Sequence, residues 1–265
     1  MVIIGCLLII IGGVLIFVQK KQKTKAFSIK SARPATTAEL NIIAREIAQE
    51  IGDGNWRDYI KVWGVIHTDQ PLFSELKQAP CVYYTTAVRR EYEETVTEKD
   101  AKGNPVQKTR RGSETISSNQ QSIPFRLQDA TGQITVNPNG AAIETVSILN
   151  QFQPGEASGG MLSFGHFSLA LSNPQVHNRR RTLGYRYTES VLPVDRNVLV
   201  IGTVSDSTGA LVVSKPLERD KKFIISLKTD QELTLAAERS ARNAFYGMVA
   251  CFGVGGVLVL VGLIR

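Results

Sequence analysis

Three kinds of side chain in this sequence could do chemistry: a thiol, a few imidazoles and a run of guanidiniums. Cys81 stands in APCVYYTTAV, and with His67 or His166 as general base it has the elements of a nucleophile. The same thiol lies in an apolar, β-rich run, where a free cysteine serves as a small buried packing group, and packing is the favoured reading. Arg179, Arg180 and Arg181 could hold a phosphate or an anionic lipid headgroup, against the plainer role of a solvated loop. His67, His166 and His177 are the only histidines, and Cys81 is the only cysteine outside the apolar ends. The paired four-ligand set of a structural zinc module cannot be drawn from them. No phosphate-binding glycine loop, serine nucleophile elbow or metal-ligand pair occurs. The expectation is a chain with no catalytic residue, no metal and no cofactor.

The elements that position these residues begin with two apolar ends. Val2 to Val18 holds no charged side chain, at the short end of what can cross a hydrocarbon core about 30 Å thick. Ala244 to Ile264 is comfortably long. No basic residue precedes Val2 and FVQKKQK follows the first run, so it reads as an uncleaved anchor rather than a signal peptide. Lys20, Lys21, Lys23 and Lys25, followed by Lys30 and Arg33, lie just past it. Positive charge there predicts an inside domain with both chain ends outside, hence an integral membrane protein with its domain on the cytoplasmic side. Removing those six residues and Arg265 from the 31 basic residues leaves a domain in which basic and acidic residues balance at 24 each. Membrane lipid is therefore an expected partner and nucleic acid is not.

Residues 19–35 read as a basic tether. Residues 36–52 read as an amphipathic helix, with Leu40, Ile43, Ala44, Ile47 and Ile51 at helical spacing, Thr36 with Glu39 as a capping box and Gly52 as the stop. Its apolar stripe is expected to pack on the domain rather than lie on a bilayer. Residues 56–228 alternate short Val, Ile, Thr and aromatic runs with turn residues, the pattern of an antiparallel β domain. Asp129-Ala130-Thr131-Gly132 and Asp206-Ser207-Thr208-Gly209 read as hairpin turns, and Lys99 to Pro105 as a longer one. QFQPGEASGG and SNPQVHNRRR break the pattern, predicting a loop or short-helix excursion over residues 150–182. PFRLQDATGQITV, a strand, an Asp-x-x-Gly turn and a second strand, resembles a hairpin of OB-type barrels.

Residues 229–243 are helical in composition, with Thr229 and Glu232 as a second capping box, and run without a breaker into the span at 244–264. Gly247, Cys251 and Gly255 fall four apart on one face, with Gly5, Gly12 and Gly13 as a possible partner surface. A packed pair of spans and the mere abundance of glycine in membrane helices both fit.

The order of span, basic segment, helix, β domain, helix and span resembles the GIDE or BAM ("beside a membrane") domain family of the mulan-type mitochondrial E3 ubiquitin ligases. PLFSELKQAPCVYY, SIPFRLQDATGQITV, YTESVLPVDRNVLVIGTV and KFIISLKTDQELTLAAERSARNAFYGMVACFGV carry the likeness, from about Trp56 to Ile264. These are fold motifs, and none quotes a catalytic residue. In such ligases a RING finger follows the second span. Here nothing follows Arg265, and one domain cysteine with three histidines falls short of eight zinc ligands, so RING-type ligase activity is not expected of this polypeptide. The resemblance also implies a domain in the intermembrane space, opposed to the lysine argument. The expected fold is mainly β (α+β): an antiparallel OB-like domain with an amphipathic helix, flanked by two transmembrane helices. The expected role is a scaffold binding a protein partner or itself, with a ligase-related component as the alternative and a Cys81 hydrolase as a third.

Overall fold

The computed structural model describes the chain except residues 1, 53, 55, 101, 102, 158, 159, 171–179, 208 and 265, and only the backbone of Ile51. Helix α1 (Val2–Ser31) opens the chain. It does not end with the apolar run: residues 19–31, expected as a tether, continue the same helix. The lysine-rich sequence has good helix formers and no breaker until Pro34, which disfavours helical backbone in Arg33. There the chain extends as β1 (Arg33–Pro34), parallel to residues 60 and 61.

Helix α2 (Thr37–Ile51) follows, with the Thr36 hydroxyl accepting from the Glu39 amide and Gly52 closing it at φ 87°, its amide donating to the Ala48 carbonyl. Only half of the expected capping box forms, because the Glu39 carboxylate pairs with Arg33 instead of reaching back. Of the stripe, Leu40 is fully buried, while Ile43, Ala44 and Ile47 are half-buried.

The single β domain expected over residues 56–228 is two compact units. The first contains residues 1–66, 126–143 and 197–265. Its strands β2 (Arg57–His67), β6 (Phe125–Asp129), β7 (Gly132–Val136), β14 (Val212–Ser214) and β13 (Asn197–Ser205) form a ring that closes where β13 pairs with β2. Five strands in a ring is the OB-like arrangement. The ring is not wholly antiparallel: β14 runs parallel to β7. So tight a ring needs a glycine where strands approach, and a Cβ on Gly64 would sit 2.6 Å from the Gln128 carbonyl oxygen. Two further strands, β15 (Ile224–Ser226) and β8 (Ala142–Ile143), extend the sheet beside β13. Helix α3 (Asp230–Ile264) completes the unit.

The second unit contains residues 67–125 and 144–196. Strands β4 (Pro80–Lys99) and β5 (Pro105–Ser122) form a long hairpin, β12 (Arg180–Pro193) pairs with the other edge of β4, and β9 (Val146–Pro154) pairs with β12. The short strand β3 (Leu72–Phe73) joins the start of β4. Opposite charges face each other across the hairpin: Glu93 opposite Arg111, Glu94 opposite Arg110 and Arg90 opposite Glu114. Such cross-strand pairs hold the register of a two-stranded ribbon. Of the excursion expected at 150–182, residues 150–154 continue β9, a hairpin forms from β10 (Met161–Phe164) and β11 (Phe167–Ala170), and β12 starts at Arg180, while residues 171–179 lie outside the described residues. Phe164 stacks on Tyr187 at 4.7 Å, so aromatic packing holds this insertion.

Candidate functional site

Among the described residues, those with chemical potential do not assemble. Cys81 is fully buried among Tyr84, Val191, Leu72 and Ile148. Burial, with the nearby Glu189 charge, pushes its thiol up to about 11, which suppresses the nucleophilic thiolate. His67 faces Asp195 at 3.3 Å, and His166 is exposed in the β10–β11 turn. Arg179 and Thr208 lie outside the described residues. Arg180, expected in a loop, is in β12: it donates to Glu94 at 2.8 Å and lies over the Tyr92 ring at 4.6 Å. Arg181 is an exposed strand residue opposite Glu93. Among the described residues no group of three His, Cys, Asp or Glu side chains could hold a metal.

Two carboxylates that the sequence reading passed over organise the fold. Glu189 is 1% exposed, yet it accepts from the Ser74 hydroxyl at 2.9 Å, the Leu76 amide at 2.7 Å, the Lys77 amide at 2.9 Å and the Thr86 hydroxyl at 3.2 Å. Four donors replace its hydration and fasten the turn that leads into β4. Its signal was present: Tyr185, Tyr187 and Val191 alternate on the buried face of β12, and Glu189 occupies the slot between them. Asp129 pins the start of α2. Burial raises its pKa, but hydrogen bonds from Thr131 and from the Thr37 hydroxyl and amide outweigh that and hold it at about 2.

The most built part of the first unit is where both long helices meet the barrel. Ala26, Ile29 and Ala32 of α1 and its exit, with Leu233 and Ala237 of α3, share one buried cluster with Tyr59, Leu199, Ile201 and Ile224. A polar ring closes over it. The Lys222 amide donates to the Ser28 hydroxyl at 2.8 Å, Ser28 lies 2.6 Å from the Tyr59 hydroxyl, and Tyr59 donates to the Lys222 carbonyl at 2.8 Å. With Ser28 donating to Tyr59, every member of that ring is satisfied. Lys61 sits between the helix ends, 2.7 Å from Asp230 in the first turn of α3 and 3.5 Å from the Ile29 carbonyl near the end of α1. The cation meets the negative end of one helix, and the carboxylate meets the positive end of the other. Thr229 and Glu232 make a complete capping box there.

Lys20, Lys21, Lys23 and Lys25 all project from helix α1. Below them the helices touch along glycines: a Cβ on Gly255 would lie 3.0 Å from the Gly5 carbonyl oxygen, one on Gly5 2.6 Å from Val259, and one on Gly247 3.2 Å from Leu15. Gly12 faces Phe252, whereas Gly13 faces open space. Cys251, between Gly247 and Gly255 on the stripe, is half-buried. Both helices are long and apolar enough to cross a membrane. The arrangement can grip, orient and space the two helices.

No curated protein and no solved structure matches the chain. The family model named GIDE and described as E3 Ubiquitin ligase matches residues 93–261, from the outer half of β4 to the last turn of α3. With more than half of its length matched, the chain belongs to the GIDE family.

Proposed function

We propose that the protein is an integral membrane scaffold: two spans anchor a non-catalytic GIDE/BAM-type β module that binds a protein partner, or a second copy of itself, at a membrane surface. The observation that carries this reading is the joint. Residues of both long helices belong to the core of the barrel unit, so the anchor and the barrel share one packed core. A docking module held at fixed height avoids part of the ordering cost of each encounter. The lysines of α1 favour placement on the cytoplasmic, positive side. The test removes residues 56–228 while keeping both spans, then compares the complexes purified from native membranes. Loss of a stoichiometric partner is expected, and an unchanged complex overturns the reading.

The family description favours a second reading, a ligase-related component that acts with a RING subunit in trans. It requires that the purified chain with conjugating enzyme builds ubiquitin chains only after that subunit is added. Chain building by the polypeptide alone, or none with any added subunit, counts against it.

A further inference from the structure

Between α1 and α3, at the height where the apolar run of each helix ends, lies a groove of about 430 Å³ lined by Gln19, Lys23, Ala26, Glu238, Ala241, Arg242 and Phe245. Ala26 and Ala241 are buried and make its floor, and Phe245 walls the side nearer the apolar segments. Glu238 is held by Lys30 at 2.5 Å, so its charge is already met. Lys23 and Arg242 are exposed and have no ion-pair partner among the described residues. An apolar floor beside two cations without ion-pair partners, at the end of the apolar run of each helix, is complementary to an anionic amphiphile. We infer that this groove binds a single anionic phospholipid, its phosphate between Lys23 and Arg242 and the start of an acyl chain against Phe245.

The inference rests on the membrane-spanning reading above and adds a specific site to it. The chemistry is suited to the ligand. A guanidinium offers a planar fork to phosphate oxygens, and an ammonium adds a point charge from the opposite helix. Lys20 and Lys21, on the same helix but outside the groove lining, share the general attraction to an anionic leaflet and provide the internal control. Because the phosphate bridges α1 to α3, occupancy would also clamp the helix pair immediately below the barrel joint.

The experiment uses the full chain in detergent micelles and reads bound lipid by native mass spectrometry on titration with phosphatidic acid or phosphatidylcholine. One phosphatidic acid is expected to bind saturably, in preference to phosphatidylcholine. K23Q/R242Q should weaken it about 10-fold or more, from two lost charges at the interface, while K20Q/K21Q should leave it within about twofold and the charge-preserving K23R/R242K should restore it. Equal weakening by both glutamine pairs would mean diffuse attraction and overturn the site. So would equal binding of both lipids, or displacement by millimolar inorganic phosphate. Carbonate extraction of native membranes separates the two failures. A chain that resists extraction but lacks the saturable site retains its spans and loses only this inference, whereas a chain that is released loses both.

Discussion

At the residue scale, the informative side chains are carboxylates with structural duties. Glu189→Ala leaves two backbone amides and two hydroxyls without their acceptor in a dry site. At about 1–3 kcal/mol per unmet buried group, partly recovered by water entry, the second unit should lose about 3 kcal/mol or more. Hydrogen exchange at Leu76 and Lys77 should accelerate first, and unchanged protection there would refute the anchoring role. Asp129 makes a pH prediction. Its folded pKa, about 2, lies below the ordinary 3.8. The stabilisation is therefore complete above about pH 4 and is lost as pH falls from there through 2. It amounts to about 2 kcal/mol. Wild type should lose melting temperature across that window more steeply than Asp129→Asn, and parallel curves would show that the carboxylate is not the source. Cys81 should resist a thiol reagent at pH 8 until the chain is unfolded, as a buried thiol pushed up to about 11 must.

At the scale of elements, local chemistry was legible where it was strong. Short β-branched and aromatic runs, turn residues and a helix stop in the sequence correspond to β2, β6, β7, β13 and to the end of α2 at Gly52, because each is decided by neighbours in the chain. Two features were not legible for the same reason. The lysines of residues 19–31 look like a tether until Ala26 and Ile29 are seen packed on the barrel, a long-range contact. Residues 161–170, part of the loop or short-helix excursion expected over 150–182, form a hairpin whose Phe164 meets Tyr187. Glu189 was readable only from the burial of its strand neighbours, which a polar letter conceals. The glycine contacts of the long helices give the test at this scale. Leucine at Gly5 or Gly255 must push the helices apart and should lower the melting temperature in detergent by about 5 °C or more, as overpacking of 1–3 kcal/mol implies. Leucine at Gly13, with nothing within 4 Å, should not. Equal effects at all three positions would mean that the pairing is not what those glycines serve.

For the whole molecule, orientation and coupling are the quantities to measure. In a variant whose only cysteine replaces Gly103, at the β4–β5 turn, the lysine argument expects protection from a membrane-impermeant reagent in intact cells and labelling after permeabilisation. Labelling in intact cells would place the module on the other side. Coupling follows from the joint itself. The apolar stretches at 2–18 and 244–264 are about 26 and 31 Å long at 1.5 Å per residue, against a core of about 30 Å that varies between membranes by a few ångströms. A stretch longer than the core answers such mismatch by leaning, and a shorter one by thinning the bilayer around it. Most anchored domains would not register the lean, because a flexible linker absorbs it. Here α1 and α3 enter the barrel core without a break, so the barrel must lean with them. On the scaffold reading proposed above, any tilt that bilayer thickness imposes on the spans would be passed to the barrel unit as a change in the angle of its surface.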